Sequence, residues 1–578
     1  MMTAARPTLS SVSIAITGSG GSGVMTAGEI LLEAAALAGF YGLMGRTSGP
    51  QIRGGEAAAL LRLSDAPVEG YGDGFDLLIA VDWAGLERFA AEIPLAAQSL
   101  IAGDSSLGEP PQSMAAPGAR RFDLPLKAIA KTIPAGRPNM VALGFAAALL
   151  GLADGALEAA ARRSFAAESD RLAPSVAAIA AGRLAAAAVE GPWKLPLATP
   201  RFGERWLLTG NEAAGFGALK GGVRFVAGYP ITPATEMLEW MSPAIAEIGG
   251  TLMQAEDELA AINMAIGASY GGVPALAATS GPGFSLMTES LGLAVAAEVP
   301  VVVVDVMRSG PSTGIPTKSE QADLNIALYG LHGDAPHIVV APNSVADCLL
   351  TTEWAVKLAE ALQVPAVVLC DQLMGQTRMV VERPPETTFA GERRFASANG
   401  EAYRRYALTP SGVSPMAIPG MPGLMYTADG LEHSERGTPS SQAKDHAAQL
   451  DKRQNKIESV DFGPHWAMIE GEGEIAVLTW GSCTAPAREA IARAKSLGLA
   501  VKLVSLRLMS PAPRERLAAA LAGTRRVLVV EQTHSGQFAR YLRAEHAFDA
   551  ELRSLSRPGP LPLRPGDILD ALMRWSRR

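Results

Sequence analysis

The stretch that decides the fold is residues 223–272, VRFVAGYPITPATEMLEWMSPAIAEIGGTLMQAEDELAAINMAIGASYGG. An apolar strand over Val223 to Ala227 precedes the turn Tyr229-Pro230-Ile231-Thr232-Pro233. A second short strand, Thr251 to Gln254, precedes the acidic cluster Glu256-Asp257-Glu258, which opens an Ala-rich helix. Ligands of open α/β sheets bind outside the carboxyl ends of the strands, so both turns lie where chemistry is expected. First-turn carboxylates also favour the helix dipole, and on residue types alone helix capping explains the cluster equally well.

The composition limits the classes of function. The 578 residues are enough for three or four domains of ~150 residues each. A net charge of −8 gives no basic footprint, which argues against nucleic acid as a partner. No run reaches ~18 uninterrupted apolar residues, and the first residues lack the apolar core of a signal peptide. We therefore expect a cytoplasmic protein with no membrane partner.

The three cysteines are Cys348, Cys370 and Cys483, which lie far apart in apolar surroundings. Their spacing fits neither a metal site nor an iron–sulfur cluster. We expect buried structural thiols, and we predict no metal ligands in this chain. The low cysteine content also suits a reducing compartment.

The first segment, residues 1–195, begins with a strand, Val12 to Thr17, the loop Gly18-Ser19-Gly20-Gly21-Ser22-Gly23 and a helix from Val24. The glycines permit close backbone approach, and the helix N-terminus favours a phosphate. Nicotinamide binding also requires an acidic residue ~20 positions further on. The stretch 39–46, GFYGLMGR, contains none, so a nicotinamide oxidoreductase is the disfavoured alternative.

Two connections in this part are open to interpretation. The stretch Arg46 to Gly55 carries two arginines and little apolar content, which fits an anion-binding loop or a solvated connection. The stretch Gly191 to Arg201 contains three prolines and predicts a linker.

Strands and helices alternate regularly over residues 203–385, which predicts βαβ units on a parallel sheet. We expect strands at 223–227, 251–254, 275–279, 299–306, 337–340 and 366–370. The loop 279–283, TSGPG, precedes a helix, and the loop 308–321 is long and polar with two cations. Long loops of this kind are often functional. Residues 386–470 form a polar extension, and residues 471–578 return to an α/β pattern with strands at 475–479, 500–505 and 526–530.

Several motifs together resemble one family. YPITP, EDELAAINMAIGAS, TSGPGFSLM and RSGPSTGIPTKSEQADL are similar to the α subunit of 2-oxoacid:ferredoxin oxidoreductases. GSGGSG, QIRGGEAA and PNMVALG resemble the γ domain that some members fuse ahead of α. The resemblance implies a multidomain α/β fold: a Rossmann-like γ domain (1–195), a parallel-sheet domain of the thiamine-diphosphate pyrimidine-binding type (203–385), an extension (386–470) and a transketolase C-terminal-like α/β domain (471–578).

The resemblance also implies an enzyme site. In the family a carboxylate hydrogen-bonds the pyrimidine N1′ of thiamine diphosphate. Glu258, nine residues before Gly267, fits this role best, and Glu256 is the alternative. Thr232 matches the threonine that contacts the 2-oxoacid. The neighbouring residues of the two turns, expected at the cofactor, are Tyr229, Pro230, Ile231, Gly281, Pro282 and Gly283.

Cations and glycines complete the predicted site. Lys318 takes the position of the basic residue that binds the substrate carboxylate, as a point charge without the fork of an arginine. Arg308 is a second candidate, for which a loop-bracing salt bridge is an equally good interpretation. The family resemblance places the γ-like domain near coenzyme A, and the candidate phosphate contacts are Gly20, Gly21, Gly23, Arg46 and Arg53.

Other parts of such an enzyme are missing from the sequence. The family's metal motif pairs GDG with a later Asn-Asn, whereas Gly72-Asp73-Gly74 has no asparagine in the next fifty residues and predicts a turn. A [4Fe–4S] cluster needs four cysteines. We therefore expect a β subunit that supplies the diphosphate half-site, Mg²⁺ and the cluster, in an α₂β₂ heterotetramer that reduces ferredoxin.

The fused γ domain and the lack of a cysteine-rich tail favour one reaction of EC 1.2.7 type. It is the oxidative decarboxylation of 2-oxoglutarate with coenzyme A to succinyl-CoA and CO₂. Pyruvate or a branched-chain 2-oxoacid is the alternative substrate, and a non-catalytic assembly subunit is the alternative from another class.

Overall fold

The computed structural model describes residues 10–49, 55–165, 170–196, 205–387, 389–398 and 402–576. The strands in these ranges are β1 (Ser11–Ser19), β2 (Tyr41–Ser48), β3 (Glu56–Ser64), β4 (Phe75–Ala80), β5 (Leu95–Gly103), β6 (Arg120–Asp123), β7 (Arg205–Thr209), β8 (Phe225–Gly228), β9 (Thr251–Gln254), β10 (Ala275–Thr279), β11 (Val301–Met307), β12 (Ile338–Val340), β13 (Pro365–Asp371), β14 (Arg378–Glu382), β15 (Ala467–Glu470), β16 (Ile475–Trp480), β17 (Val501–Leu506), β18 (Leu508–Ser510), β19 (Arg526–Glu531) and β20 (Glu551–Ser556).

The α-helices in the same ranges are α1 (Val24–Leu37), α2 (Leu126–Lys131), α3 (Pro138–Leu150), α4 (Asp154–Ser164), α5 (Leu172–Ala186), α6 (Gly210–Gly221), α7 (Thr235–Glu247), α8 (Glu258–Tyr270), α9 (Gly281–Ala296), α10 (Leu324–Tyr329), α11 (Val345–Leu362), α12 (Gln372–Gln376), α13 (Ala443–Glu458), α14 (Thr484–Ser496), α15 (Arg514–Ala520), α16 (Gln537–Glu545) and α17 (Pro565–Ser576). None of these helices is long and apolar enough to cross a membrane.

The chain divides into two compact units, and the first comprises Met1–Thr209, Gln376–Pro384 and Arg564–Gly566. Its sheet has the order β6-β5-β4-β1-β3-β2-β14-β7. Strands β6, β5, β4 and β1 run parallel, whereas β3, β2, β14 and β7 are paired antiparallel. The predicted order of strand, glycine loop and helix is observed for β1 and α1.

The prediction of a loop from Arg46 was wrong for its first residues, because Arg46 to Ser48 lie in β2. Strand β2 pairs with β3, and β2 was missed because it contains glycines, which disfavour strands. Gly42 is needed there: a Cβ at this position would lie 2.6 Å from Leu63 and 2.9 Å from Leu32. Close approach of neighbours is a common reason for glycine within a strand.

The second unit comprises Gly210–Gly375, Pro385–Leu563 and Asp567–Arg578. Its larger sheet has the order β18-β12-β13-β11-β10-β8-β9 and is parallel except for β18. Every residue of β11 and β13 is buried, as expected for parallel strands covered on both faces. A second sheet has the order β15-β17-β16-β19-β20. The α/β class is confirmed, while the bounds of the four predicted domains remain predictions.

A buried ion cluster ties the polar extension to the end of α9. Lys452 and Lys456 of α13 each donate to one carboxylate oxygen of Glu298 at 2.6 Å. The Arg405 guanidinium donates to the Glu298 carbonyl at 2.7 Å. Burial acts to raise the pKa of Glu298, but the charges of Lys456, Lys452 and Arg405 outweigh it and hold the pKa well below its ordinary value. The extension is therefore held by ionic contacts in the interior.

Candidate active site

The three acids at the start of α8 have separate environments. Asp257 is the N-cap residue, and its carboxylate accepts a hydrogen bond from the Ala260 N–H at 2.7 Å. Glu256 is exposed, whereas Glu258 is only 6% exposed. The capping interpretation is therefore correct for Asp257, and it leaves the buried carboxylate of Glu258 without a capping role.

Glu258 lies against the first turn of α9. A Cβ atom on Gly283 would lie 2.5 Å from Glu258 Cγ and 2.6 Å from its Oε1, so the absence of a side chain at Gly283 makes room for this acid. Among the described residues no protein group hydrogen-bonds the Glu258 carboxylate. The side chain is mostly covered by protein, and its carboxylate is available to a ligand.

The YPITP turn is braced from the neighbouring loop. Arg308 is buried, and its Nη1 donates to the Thr232 carbonyl at 2.7 Å. The Asn211 side chain donates to the Pro233 carbonyl at 3.0 Å. Burial lowers the pKa of Arg308, and the Asp323 carboxylate opposes this effect. Arg308 thus braces the YPITP turn through a hydrogen bond to a backbone carbonyl, while its predicted salt bridge and its predicted substrate contact both stay predictions.

The other predicted residues of the two turns have different exposures. Tyr229 and Pro230 are exposed, and Ile231 and Thr232 are half-buried. Gly281, Pro282 and Gly283 form the first turn of α9. Lys318 is buried, and its carbonyl accepts from the Ser309 N–H at 2.9 Å. The roles of all these residues remain predictions.

A cavity of about 800 Å³ adjoins the N-terminus of α9. It is lined by Gly281 and Pro282, by Arg308 and the loop that follows it, by Glu320 and Asp323, and by residues 533–537. Lys318 is not among its lining residues, whereas Arg308 is. The exposed imidazole of His534 also faces this cavity.

Sequence reasoning missed two acids in this region, Asp305 and Asp323. Asp305 is fully buried at the end of β11, and Asp323 lines the cavity. The available signal was a single acid in the apolar run VVVVDVM, since a strand buried on both faces rarely carries one. His433 bonds the Ala296 carbonyl at the far end of α9 and stacks on Tyr406.

The glycine loop in the first unit provides a helix N-terminus without a side-chain cap. Gly23 is the N-cap residue of α1 with φ of 82°, and its carbonyl accepts from Asn139 at 2.9 Å. The buried hydroxyls of Thr17 and Ser22 have no hydrogen-bond partner within the described ranges. These features fit a phosphate group.

The other residues predicted to contact coenzyme A lie in different environments. Gly20 donates its N–H to the Gly55 carbonyl, and Gly21 has space around it for a ligand. Arg46 is exposed on β2. Arg53 lies outside the described residues. The proposed phosphate contacts therefore stay a prediction.

Gly72-Asp73-Gly74 has a structural contact. The Asp73 carboxylate accepts from the Gly566 N–H at 2.7 Å within the first unit. In the described parts of the chain no group of three or more His, Cys, Asp or Glu side chains could hold a metal ion. All three cysteines are buried and free, as predicted.

Comparisons with known families define the class of protein. Residues 216–452 match the family described as pyruvate flavodoxin/ferredoxin oxidoreductase, thiamine diphosphate-binding. Residues 13–185 match pyruvate ferredoxin/flavodoxin oxidoreductase, and residues 473–551 match pyruvate:ferredoxin oxidoreductase core domain II. The class is therefore an oxidoreductase chain whose central part is of the thiamine diphosphate-binding type.

Individual relatives refine this class. The chain is 35% identical over 380 residues to the 2-oxoglutarate synthase subunit KorA of Methanothermobacter marburgensis, covering 64% of this chain and 99% of that protein. It is 31% identical over 587 residues to the 2-oxoglutarate oxidoreductase subunit KorA of Mycobacterium tuberculosis, covering 94% and 89%. A solved 2-oxoglutarate:ferredoxin oxidoreductase from Magnetococcus marinus superposes with a TM-score of 0.91 at 34% identity, covering 98% and 99%. The chain belongs to the 2-oxoacid:ferredoxin oxidoreductase family, as an α subunit of the KorA kind, which confirms the predicted resemblance.

Proposed function

We propose that this chain is the α subunit of a thiamine diphosphate-dependent 2-oxoglutarate:ferredoxin oxidoreductase. The reaction is 2-oxoglutarate with coenzyme A to succinyl-CoA and CO₂, with two electrons passed to ferredoxin. The catalytic part of the proposal rests on Glu258, a buried residue beside Gly283 whose carboxylate has no hydrogen-bond partner among the described residues. Two observations support 2-oxoglutarate as the substrate. The KorA relatives are named for it, and the solved relative has 2-oxoglutarate, coenzyme A and succinyl-CoA bound.

The residues present fit the pyrimidine half of thiamine diphosphate. When bound, this group supplies a carbon nucleophile that attacks the keto carbon of the 2-oxoacid. Glu258 would accept a hydrogen bond from the ring and share a proton with it. Tyr229, Pro230 and Ile231 would border the ring. Arg308 holds the turn through the Thr232 carbonyl, and the Thr232 hydroxyl would contact the substrate.

The cation of Lys318 binds the substrate carboxylate in this proposal. The pyrophosphate or ribose phosphate of coenzyme A binds at the α1 N-terminus, with Gly20, Gly21, Gly23, Arg46 and Arg53 as the contacts. The buried hydroxyls of Thr17 and Ser22, which have no hydrogen-bond partner among the residues that the structure describes, support this placement.

A β subunit completes the enzyme. Large apolar side chains near Glu258 are 39% to 48% exposed, and they are Tyr229, Met253, Leu259, Met264 and Leu286. Exposed apolar patches of this kind mark interaction sites. We assign this surface to the β subunit, which carries the diphosphate half-site, Mg²⁺ and the [4Fe–4S] cluster. The complex is an α₂β₂ heterotetramer that reduces ferredoxin in the cytoplasm, and the low cysteine content suits that compartment.

The test is Glu258→Gln in the complex co-expressed with its β subunit. We expect 2-oxoglutarate- and coenzyme A-dependent dye reduction to fall about 10²–10⁴-fold, the range for loss of a general acid–base group. Glu289→Gln, an exposed site on α9, is the matched control and should keep wild-type turnover. Equal loss in Glu256→Gln alone would transfer the role to Glu256. Full turnover in both Glu258→Gln and Glu256→Gln would contradict the proposed function, and a preference for pyruvate would contradict the substrate.

A further inference from the structure

The first turn of α9 is surrounded by buried polar atoms without hydrogen-bond partners. Within the described ranges these include Ser280 Oγ, both carboxylate oxygens of Asp305, Asp323 Oδ2 and Arg308 Nε. Buried polar groups in folded proteins are nearly always bonded. Five such atoms at one place therefore indicate ordered water or mobile protons between them.

Two of the neighbouring groups form the beginning of a row. The Thr279 hydroxyl and the Glu258 Oε1 both lie within 2.6 Å of the point that a Cβ atom on Gly283 would occupy. Thr279 is paired with Asp305 in the parallel register of β10 and β11. Paired residues of adjacent strands are about 4.8 Å apart and point to the same face. The row thus runs from Glu258 through Thr279 to Asp305.

Asp323 connects the row to the cavity. Its carboxylate is close enough to act electrostatically on Asp305. Asp323 Oδ2 lies 2.6 Å from the position of a Cβ on Gly281, so it contacts the same helix turn. The Asp323 side chain also lines the cavity of about 800 Å³, together with Glu320 and His534.

The charges around the two acids favour a retained proton. Burial raises the pKa of Asp305 well above its ordinary value, and Asp323 and then Cys370 raise it further. Burial and then the charge of Glu320 raise the pKa of Asp323, Arg308 opposes them, and together they leave this pKa at about 7. The pair therefore holds a proton near neutral pH and can release one.

We propose that Thr279, Asp305 and Asp323, with intervening water, form a path that carries a proton between Glu258 and the cavity. This inference rests on the proposed function. One 2-oxoacid carboxylate and one thiol give one thioester, CO₂, two electrons and one proton. The carbon–carbon bond to CO₂ breaks and the carbon–sulfur bond forms, the electrons pass to the iron–sulfur cluster of the partner, and the thiol proton must leave. The three residues act through Glu258 and do not touch the substrate.

The kinetic test compares Asp305→Asn and Asp323→Asn with Asp334→Asn, an exposed control, in the co-expressed complex. We expect kcat to fall about tenfold or more, within the range for impaired proton transfer, while KM for 2-oxoglutarate is retained. The solvent deuterium isotope effect on kcat should rise in both variants. Imidazole in the buffer should partly restore kcat of Asp323→Asn, because the substituted side chain lines the cavity and small molecules can reach it. Unchanged kcat and isotope effect, or a loss with neither isotope effect nor rescue, would overturn the path.

A second readout does not depend on turnover. Infrared spectra of the full-length chain at pH 7, taken as the difference between H₂O and D₂O, should show the band of a protonated carboxyl group, which shifts in D₂O. The band should be lost or weakened in Asp305→Asn and kept in Asp334→Asn. Persistence of the full band in both Asp305→Asn and Asp323→Asn would overturn the proposal. This result is independent of Glu258→Gln, so failure of the path is distinguishable from failure of the proposed function.

Discussion

The two ends of helix α9 hold buried acids in opposite circumstances. Beyond its C-terminus, both oxygens of Glu298 are bonded by Lys452 and Lys456. At its N-terminus, Asp305 is equally buried and both of its oxygens lack a partner in the part of the chain that the structure describes. Glu258 lies beside the same turn, and its carboxylate has no hydrogen-bond partner within the described ranges. A completed ion cluster maintains the fold, whereas an incomplete one is available for ligands and protons.

The largest expected effect on stability comes from breaking the completed cluster. Glu298→Gln leaves Lys452 and Lys456 buried without a counter-ion. Removing one partner of a buried ion pair costs about 3–5 kcal/mol, so we expect the free energy of unfolding to fall by that amount in urea titrations. Glu289→Gln, on the exposed face of α9, should change it by less than about 0.5 kcal/mol. Equal stability of the two variants would show that the Glu298 cluster contributes nothing to the fold.

The acids near the N-terminus of α9 should make the stability depend on pH in the opposite sense to Glu298, because the pKa of Glu298 is lowered and that of Asp323 is raised. The folded-state pKa of Asp323 is about 7, above its ordinary value of 3.8. The native state therefore binds more protons than the unfolded state between these values, and stability must fall as pH rises from about 4 to 7. Asp323→Asn should remove about 2–4 kcal/mol of this decline, measured as unfolding free energy against pH. If the unfolding free energy of the variant declined with pH as steeply as that of the wild type, the raised pKa of Asp323 would be contradicted.

A smaller effect is expected from filling the space beside Glu258. In Gly283→Ala the new methyl group would displace Glu258 and the Thr279 hydroxyl. Overpacking costs about 1–3 kcal/mol, and turnover should fall while the fold persists. Gly155→Ala in α4, where a Cβ meets nothing within 4 Å, is the matched control. Wild-type turnover in Gly283→Ala would show that the position of Glu258 is not critical.

Local patterns predicted most of the second unit. Strands β9 and β10 have the predicted bounds, because short apolar runs end at turn-forming residues. Nothing local indicates that β14 pairs with β7, about 170 residues earlier, or that Lys452 meets Glu298. These contacts depend on packing between distant segments.

In the candidate site, too, local features were predicted from the sequence and contacts between distant segments were not. The motif around Glu258 was visible in the sequence because its residues are consecutive. The contact of Glu258 with Gly283, and the neighbourhood of Asp305 and Asp323, join separate strands and loops. The role of Asp257 as the cap was also hidden, since three adjacent acids are equivalent until the backbone selects one.

The most direct measurement is a solved structure of the complex with its β subunit and thiamine diphosphate. We predict that the Glu258 carboxylate lies within hydrogen-bond distance of the pyrimidine N1′, with the ring bordered by the YPITP turn. A ring bound elsewhere, touching neither Glu258 nor Glu256, would contradict it.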